Sequence, residues 1–280
     1  MRKNIRADLH THSTASDGVL APDELLQLAT DNQLDYFAIT DHDTIAGYLS
    51  VREKATAIGV RLIAGIELST LWSGIGIHIV GLNFDPTHSA MIKLLQYQTD
   101  VRLSRTDKIL QKLAKIGFEI SLSELQSSVG EGVIGRPHIA TLMVEKGYVK
   151  DTNQAFKKYL GAGKLGDVKN GWVGLSEGVK AIRESGGVAV IAHPNHYNLT
   201  RTKLLRLVDD FIGAGGQGIE VISGKQHRDI TDKLSAIATD KGLYASIGSD
   251  FHRPLSFGVG VGELSPLPDN VTPIWELFDI

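Results

Sequence analysis

The chain has 280 residues, with 29 Lys and Arg against 32 Asp and Glu, giving a formal net charge of −3. This balance argues against a protein that coats nucleic acid with a basic face, and we expect no stable DNA binding. The absence of cysteine excludes disulfide frameworks, thiolate zinc sites and cysteine nucleophiles. With no visible signal peptide and no apolar run near the roughly 20 residues of a membrane span, we expect a cytoplasmic protein without membrane contact.

Strand and helix signals alternate through the first eighty-odd residues. Short apolar runs predict strands over residues 5–9, 36–40, 60–68 and 76–82. Helical spacing predicts helices over residues 22–32 and 44–58. Pro22 stands in the first turn of the first of these helices, and Gly59 ends the second. Such alternation is typical of an α/β sheet or barrel.

Strand signals then fade until about residue 170. Apolar spacing predicts helices over residues 91–116, 136–146 and 152–160, followed by a glycine-rich run at 161–166. The α/β pattern resumes with helices at 176–185, 201–212 and 229–241 and strands at 188–192, 218–222 and 243–248. We therefore predict a barrel domain from residues 1–84 and 171–280, with a helical insertion subdomain at 85–170. A count near seven strands fits both a closed barrel and an open sheet.

Polar residues recur where the predicted strands end. They are Asp8, His10, His12, Asp17, Asp41, His42, Asp43, Glu67, His193, Asp250 and His252, and His78 lies within the fourth strand. Because α/β folds build their sites at the carboxyl ends of strands, we expect six of the ten His and at least four carboxylates to converge on one rim. A His-x-His pair on an extended segment puts both imidazoles on one face.

This set of side chains predicts a metal site. Imidazole and carboxylate without thiolate suit zinc, iron or manganese, and we favour manganese. The ligands exceed the need of one four-coordinate ion, which predicts two or three divalent metal ions. Metals that bracket a phosphate are typical of phosphoester hydrolysis. Taken singly, His78 could be a core histidine and residues 41–43 an ordinary polar turn, but the recurrence at one edge favours the metal site.

The motifs resemble a known superfamily. DLHTHS at 8–13, TDHD at 40–43, GIELS at 65–69, HIVG at 78–81, AHP at 192–194 and GSDFH at 248–252 are similar, in order, to those of the PHP (polymerase and histidinol phosphatase) superfamily. The resemblance covers nearly the whole chain. GRPHIA at 135–140 and FKKYLG at 156–161 resemble the branch of 3′,5′-nucleotide bisphosphate phosphatases and 5′→3′ exoribonucleases.

The resemblance implies a distorted seven-stranded β/α barrel of the TIM-like PHP type, with three metals. One metal is implied at His10, His12, Glu67 and Asp250, a second at Glu67, His78 and His193, and a third at Asp17, His42 and His252, with Asp250 also within reach. Catalytic roles are implied for Asp17, His42, His193 and Asp250. Asp17 and the insertion favour the nucleotide branch, because the histidinol phosphatase branch tends to place His near position 17 and lacks the insertion.

Three further residues are candidates for substrate binding: Arg136, His138 and His196. Arg136 carries a permanent planar charge at a predicted helix start, although an inter-domain salt bridge is the alternative. His138 could instead pack at the insertion interface. Close relatives commonly have Gly-Arg where this chain has Asn195-His196. The imidazole is a weaker phosphate ligand than the guanidinium it replaces.

The residues and the resemblance together predict a metal-dependent phosphoesterase that uses metal-activated water. The expected substrate is a 3′,5′-nucleoside bisphosphate or the 5′ end of a short RNA, and Lys157, Lys158 and Lys164 either line a nucleic-acid path or are solvated. The alternatives are a small-molecule phosphatase, such as one acting on histidinol phosphate, and a non-catalytic metal-stabilised PHP accessory module. The accessory module predicts eroded ligand positions, whereas all are filled here. The sequence carries no signal for an oligomeric state.

Overall fold

The computed structural model describes residues 5–130, 132–168, 171–254 and 259–278. Eight strands lie within these residues: β1 Ala7–Asp8, β2 Tyr36–Ile39, β3 Leu62–Trp72, β4 Ile75–Leu82, β5 Val173–Gly174, β6 Val188–Ile191, β7 Gly218–Ser223 and β8 Tyr244–Gly248. Seven of them pair in the order β1-β2-β3-β4-β6-β7-β8, and β5 adds to β3. All pairs are parallel except those of β4, which runs antiparallel to both β3 and β6.

The two ends of this sheet meet. Leu9 donates its backbone N–H to the carbonyl of Ile247 at 3.0 Å, and Thr11 forms a parallel bridge with Phe251. The sheet is therefore a nearly closed barrel, which confirms the predicted α/β barrel class. Its interior and the helices around it form the largest cluster of buried apolar side chains, in which Ile66, Leu68 and Ile79 are inaccessible to solvent.

The described residues contain the helices α1 Pro22–Asp31, α2 Ala46–Ile58, α3 Ser89–Ala114, α4 Leu122–Val129, α5 Arg136–Glu145, α6 Thr152–Ala155, α7 Leu175–Glu184, α8 Arg201–Gly213 and α9 Arg228–Lys241. All except α4 were predicted, and apart from the end of α6 their ends differ from the predicted ones by at most two residues. Helix α6 continues as one π-helical turn, Phe156–Leu160. Gly59 ends α2 in the left-handed conformation (φ 77°), as its position predicts. None of the helices in the described ranges is long and apolar enough to cross a membrane.

The prediction that the third strand ends at Leu68 is wrong. Strand β3 continues to Trp72 and returns as β4 through the two-residue turn Ser73-Gly74, where both residues have positive φ (48° and 77°). Such turns match the twist of a hairpin. Glu67 consequently lies in the middle of β3, opposite Val80, rather than at a strand end.

Helices α3 to α6 lie between β4 and β5 in the chain. Residues 109–168 form a second cluster of buried apolar side chains, separate from that of the barrel. Helix α4 was not predicted, although its start is marked: Ser121 Oγ accepts from Glu124 N at 3.2 Å, and Glu124 Oε2 accepts from Ser121 N at 2.8 Å. This reciprocal cap is a Ser-x-x-Glu signal that the sequence carries.

Candidate metal centre

The segment after β1 carries the first two imidazoles into the barrel mouth. His12 donates its backbone N–H to the carbonyl of Phe251 at 2.9 Å, and Asp250 donates its own to the carbonyl of His10, also at 2.9 Å. This pairing fixes the segment in extended form, so both imidazoles project to one side. Their Nε2 atoms lie 3.1 Å apart, as the His-x-His spacing predicts.

Glu67 is the centre of the cluster. Its carboxylate is fully buried, and its two oxygens contact five imidazoles from four different segments of the chain. The hairpin explains how His78 joins them, because antiparallel pairing of β3 with β4 places His78 opposite Ser69, two residues from Glu67. The contacts are His10 Nε2 3.3 Å, His12 Nε2 3.2 Å and His42 Nδ1 2.9 Å to Oε2, and His78 Nδ1 2.8 Å and His193 Nε2 2.7 Å to Oε1.

Two further carboxylates flank Glu67. Asp250 Oδ1 lies 3.5 Å from His10 Nε2 and 3.3 Å from His12 Nε2. Asp17 lies on the other side, with Oδ1 3.3 Å from His252 Nε2 and Oδ2 3.8 Å from His42 Nε2. All nine predicted metal-binding positions therefore meet in one cluster.

The backbone holds several of these groups in a conformation that non-glycine residues rarely adopt. Asp43 (φ 53°), His193 (φ 27°) and Asp250 (φ 53°) all have positive φ. Such strain is concentrated at functional sites and persists where surrounding contacts enforce it. Here Asp43 anchors the loop that carries His42: its carboxylate accepts from Arg102 Nε at 2.7 Å.

The electrostatics of the cluster match bound cations. Burial would raise the pKa of Asp17, but His42 and His252 hold it well below its usual range. Burial would lower the pKa of His12, yet its hydrogen bonds to Asp250 and Glu67 outweigh that effect and raise it to about 10. The carboxylates thus carry full charge in a buried place, a situation in which proteins pair charges or bind metals.

The buried polar atoms of the cluster also indicate a metal site. His12 Nδ1, His42 Nδ1, Asp17 Oδ1 and Glu67 Oε2 lie close to other ligand atoms, but among the described residues none of their contacts has the geometry of a hydrogen bond. Three groups of side chains have ligand atoms mutually within 4.8 Å: His12, Asp17, His42 and His252; His10, His12 and Glu67; and His42, Glu67 and His78. An imidazole and carboxylate donor set with open positions fits divalent transition metals.

Sequence reasoning missed Glu220. It lies in β7, is 1% exposed, and accepts from His10 Nδ1 and from the backbone N–H of His193, both at 2.6 Å. A carboxylate behind a metal-binding imidazole fixes the orientation of the ring. The available signal was a lone acid in an otherwise apolar strand, Gly-Ile-Glu-Val-Ile at 218–222.

A groove of about 580 Å³ opens on the cluster. Asp17, His42 and His78 line it. Four further lining residues, which we call the arginine wall, are Arg102, Arg105, Arg136 and Trp172. The guanidinium carbons of Arg102 and Arg105 lie 5.0 Å and 5.4 Å from the centre of the Trp172 ring. Burial, with the charges of Arg136 and Arg102, lowers the pKa of Arg105 to about 10, so it remains cationic at neutral pH.

The three predicted substrate-binding residues lie in different places in the structure. Arg136 starts α5 as predicted, lines the groove, and donates Nη1–H to the carbonyl of Leu160 at 3.0 Å. His138 Nδ1 accepts from Gly135 N at 3.0 Å, and the side chain is partly buried. His196 stacks on His193, with ring centres 5.0 Å apart, and does not line the groove.

Comparisons with known proteins agree with this geometry. A 5′-3′ exoribonuclease of Haemophilus influenzae is 42% identical over 271 residues, which cover 97% of this chain and 98% of that protein. A 3′,5′-nucleoside bisphosphate phosphatase of Chromobacterium violaceum is 39% identical over 269 residues, with 96% and 94% covered.

Solved structures share the fold. A structure from Chromobacterium violaceum, described as an amidohydrolase with bound sulfate and no metal, matches with a TM-score of 0.89 and 39% identity, covering 97% of this chain and 95% of its own. A chain from Bifidobacterium adolescentis, described as a metal-dependent phosphoesterase, matches with a TM-score of 0.79 and 28% identity, covering 97% and 94%. A model of the PHP domain family matches residues 8–148. The chain belongs to the PHP domain family.

Proposed function

We propose that this protein is a metal-dependent phosphoesterase that hydrolyses 3′,5′-nucleoside bisphosphates, the 5′ ends of short RNA, or both. The observation that carries the proposal is one groove that is lined both by members of the imidazole and carboxylate cluster and by three arginines. Relatives named for these two activities align over nearly their whole length with this chain.

The cluster is proposed to hold two or three divalent ions, with manganese favoured. The sites are those implied by the family motifs: His10, His12, Glu67 and Asp250 for one ion, Glu67, His78 and His193 for another, and Asp17, His42 and His252 for a third. Ions held there supply the Lewis acidity that activates water and stabilises the leaving oxygen. Within this set Asp17, His42, His193 and Asp250 lie on both sides of Glu67 and are the proposed catalytic residues.

The protein's own role toward the substrate is binding and orientation. Arg136 brings a planar cation to the groove that Asp17 and His42 also line, and a guanidinium binds phosphate through paired N–H donors. Arg102 and Arg105 extend the positive wall toward Trp172. A polyanionic nucleotide is therefore drawn into the groove and its phosphate is held against the cluster.

The chain's organisation is proposed to serve this groove. Residues 1–84 and 171–280 form the barrel with the metal centre, and residues 85–170 form the insertion that supplies the arginines. The separate buried cluster of residues 109–168 supports this division. The cytoplasmic location stays a prediction.

A comparison of substrates tests the proposal. We expect manganese-loaded protein to release phosphate from adenosine 3′,5′-bisphosphate or mononucleotides from a 5′-phosphorylated oligoribonucleotide, and to act poorly on histidinol phosphate. Preference for histidinol phosphate would replace the proposal with the small-molecule alternative. No turnover of any of the three by protein of verified metal content would overturn the enzyme function.

Substitution of Arg136 tests the phosphate-binding wall. Arg136→Ala is expected to raise KM for the preferred nucleotide by about 10- to 100-fold, the cost of one charge-assisted hydrogen bond. Lys115→Ala removes an exposed charge just beyond α3 and serves as the matched control. An unchanged KM in the Arg136 variant would show that the guanidinium is only structural.

A further inference from the structure

Asp41 is a buried carboxylate beside the metal centre. It directly precedes His42 in the chain and is 1% exposed. Its Oδ1 accepts from the backbone N–H of Ser13 at 2.8 Å and from Ser16 Oγ at 2.6 Å, and its Oδ2 accepts from Ser13 Oγ at 2.7 Å. Within the described ranges, none of the groups of side chains close enough to share an ion includes Asp41. Asp41 therefore holds another segment of the chain rather than an ion.

The segment that Asp41 holds is a tight turn at residues 13–18, and it carries Asp17. Two backbone hydrogen bonds of 3.0 Å within the segment close this turn. Directly after it, Val19 donates its backbone N–H to the carbonyl of His252 at 2.8 Å. Asp17 is thus held before it in the chain by the contacts to Asp41, and after it by the segment of His252.

The strand that carries Glu67 sets the position of Asp41 itself. The carbonyl of Asp41 accepts from the backbone N–H of Glu67 at 3.2 Å, and His42 forms a parallel bridge with Glu67. Gly47 on α2 leaves room for the carboxylate, because a Cβ at this position would lie 2.1 Å from Asp41 Oδ2. Asp41 therefore joins Glu67, through its backbone, to the turn of Asp17, through its side chain.

We propose that Asp41 is a positioning residue that places the Asp17 carboxylate to bind one ion of the metal centre, and this rests on the proposed function. Among the proposed ion sites, only that of Asp17, His42 and His252 takes a ligand from the turn at 13–18. Asp17 Oδ1 lies 3.3 Å from His252 Nε2, and Oδ2 lies 3.8 Å from His42 Nε2. Hydrogen bonds behind a metal ligand fix its orientation. Loss of the Asp41 contacts should therefore weaken the ion at Asp17 and leave the other ions in place.

Metal titration of variants tests this role. Manganese is titrated calorimetrically into chelator-treated wild type, Asp17→Ala, Asp41→Ala and Ser16→Ala, and bound metal per chain is measured. Asp17→Ala is expected to lose one ion, which identifies the ion at this carboxylate. Asp41→Ala is expected to weaken the same ion by about 10- to 100-fold. Ser16→Ala is expected to weaken it by about tenfold, since it removes one hydrogen bond to a carboxylate.

Two further variants separate positioning from a general loss of stability. Asp41→Asn keeps an oxygen at the place of Oδ1 and is expected to bind the ion nearly as the wild type does. Ser235→Ala is the matched control, because it removes a buried hydroxyl on α9 that donates to the carbonyl of Thr231 at 2.8 Å. It should bind manganese as the wild type does. If Asp41→Ala does not fold, Ser16→Ala carries the test.

Three results would overturn the proposal. They are an equal weakening of all ions in the Ser16 and Asp41 variants, wild-type binding in these variants, and an unchanged metal content in Asp17→Ala. An Asp41→Asn protein as weak as Asp41→Ala would also contradict placement through these hydrogen bonds. Failure of the proposed function is distinct, because the wild type would then bind manganese in full and still turn over no nucleotide.

Discussion

Glu67 shows how much of the centre depends on one side chain. Its two oxygens contact five imidazoles at 2.7–3.3 Å while its own solvent exposure is zero. Burial would raise the pKa of Glu67, but His42, His78 and His10 hold it well below its usual range. A buried carboxylate that stays ionised among five imidazoles fits the cation binding proposed for this centre.

Glu220 offers a test of how the imidazoles are oriented. Glu220→Gln keeps the shape of the side chain but removes the charge that holds His10 Nδ1 at 2.6 Å. We expect metal affinity to fall about 10- to 100-fold, as is typical when the partner of a metal-binding His is removed. Calorimetric titration of manganese into chelator-treated protein measures this.

The control for this prediction is Glu184→Gln, on the exposed surface of α7. It should bind manganese as the wild type does. Wild-type affinity in the Glu220 variant would mean that the β7 carboxylate only satisfies backbone donors.

Most residues of the centre could be predicted because they stand in polar motifs or match the family motifs, whereas Glu220, a lone acid in an apolar strand, was missed. His10 and His12 can be recognised by their His-x-His spacing. Asp250 and His252 have the same two-residue spacing near the other end of the chain. Arg102 lies in a long amphipathic helix among other charged residues, so only the fold reveals that it reaches Asp43. Arg102 and Asp43 are 59 residues apart in the sequence, so no local pattern predicts their contact.

At the scale of elements, α3 is tied to the loop that carries His42. Arg102 Nη2 lies 2.6 Å from Asp43 Oδ2, and Gln98 Nε2 donates to Asp43 Oδ1 at 2.8 Å. Asp43 also accepts from the backbone N–H of Ser69, next to Leu68 on β3. One buried carboxylate therefore joins a helix, a loop and a strand at the edge of the groove.

Removing the Arg102–Asp43 ion pair should destabilise the fold. Arg102→Ala leaves the buried Asp43 without its cationic partner, and breaking a buried pair in this way costs about 3–5 kcal/mol. Denaturant unfolding gives the free energy, with Lys108→Ala on the exposed side of α3 as the control. If the free energy of unfolding of the Arg102 variant falls by less than about 1 kcal/mol, as is typical for an exposed ion pair, the structural role of the Arg102–Asp43 pair is contradicted.

The elements themselves were predictable where local signals decide them. Gly59 ends α2 and Pro22 begins α1 because their backbone preferences act within a single turn. The extension of β3 to Trp72 depends instead on its pairing partners: Ser69 to Trp72 pair with β4 across the hairpin, and Thr70 and Leu71 also pair with β5. Pairing of that kind leaves no pattern within the strand.

At the scale of the molecule, the net charge of −3 conceals local groups of acidic and basic side chains. Asp17, Glu67 and Asp250 gather at the barrel mouth among six imidazoles, and three arginines line the same groove. In the proposed function the arginine wall holds an anionic substrate, and cations at the mouth would offset the carboxylates that the substrate would otherwise meet. The proposed function depends on both halves of this arrangement.

Metal dependence tests the central claim most directly. Chelator-treated protein is titrated with manganese while bound metal per chain and phosphate release from adenosine 3′,5′-bisphosphate are measured together, for wild type and Asp250→Ala. We predict that turnover appears only as the second ion binds, and that Asp250→Ala, which removes a carboxylate 3.3 Å from His12, loses both turnover and bound metal. Full turnover without metal, or a fully active Asp250→Ala protein, would contradict the assignment of this cluster as the catalytic metal centre.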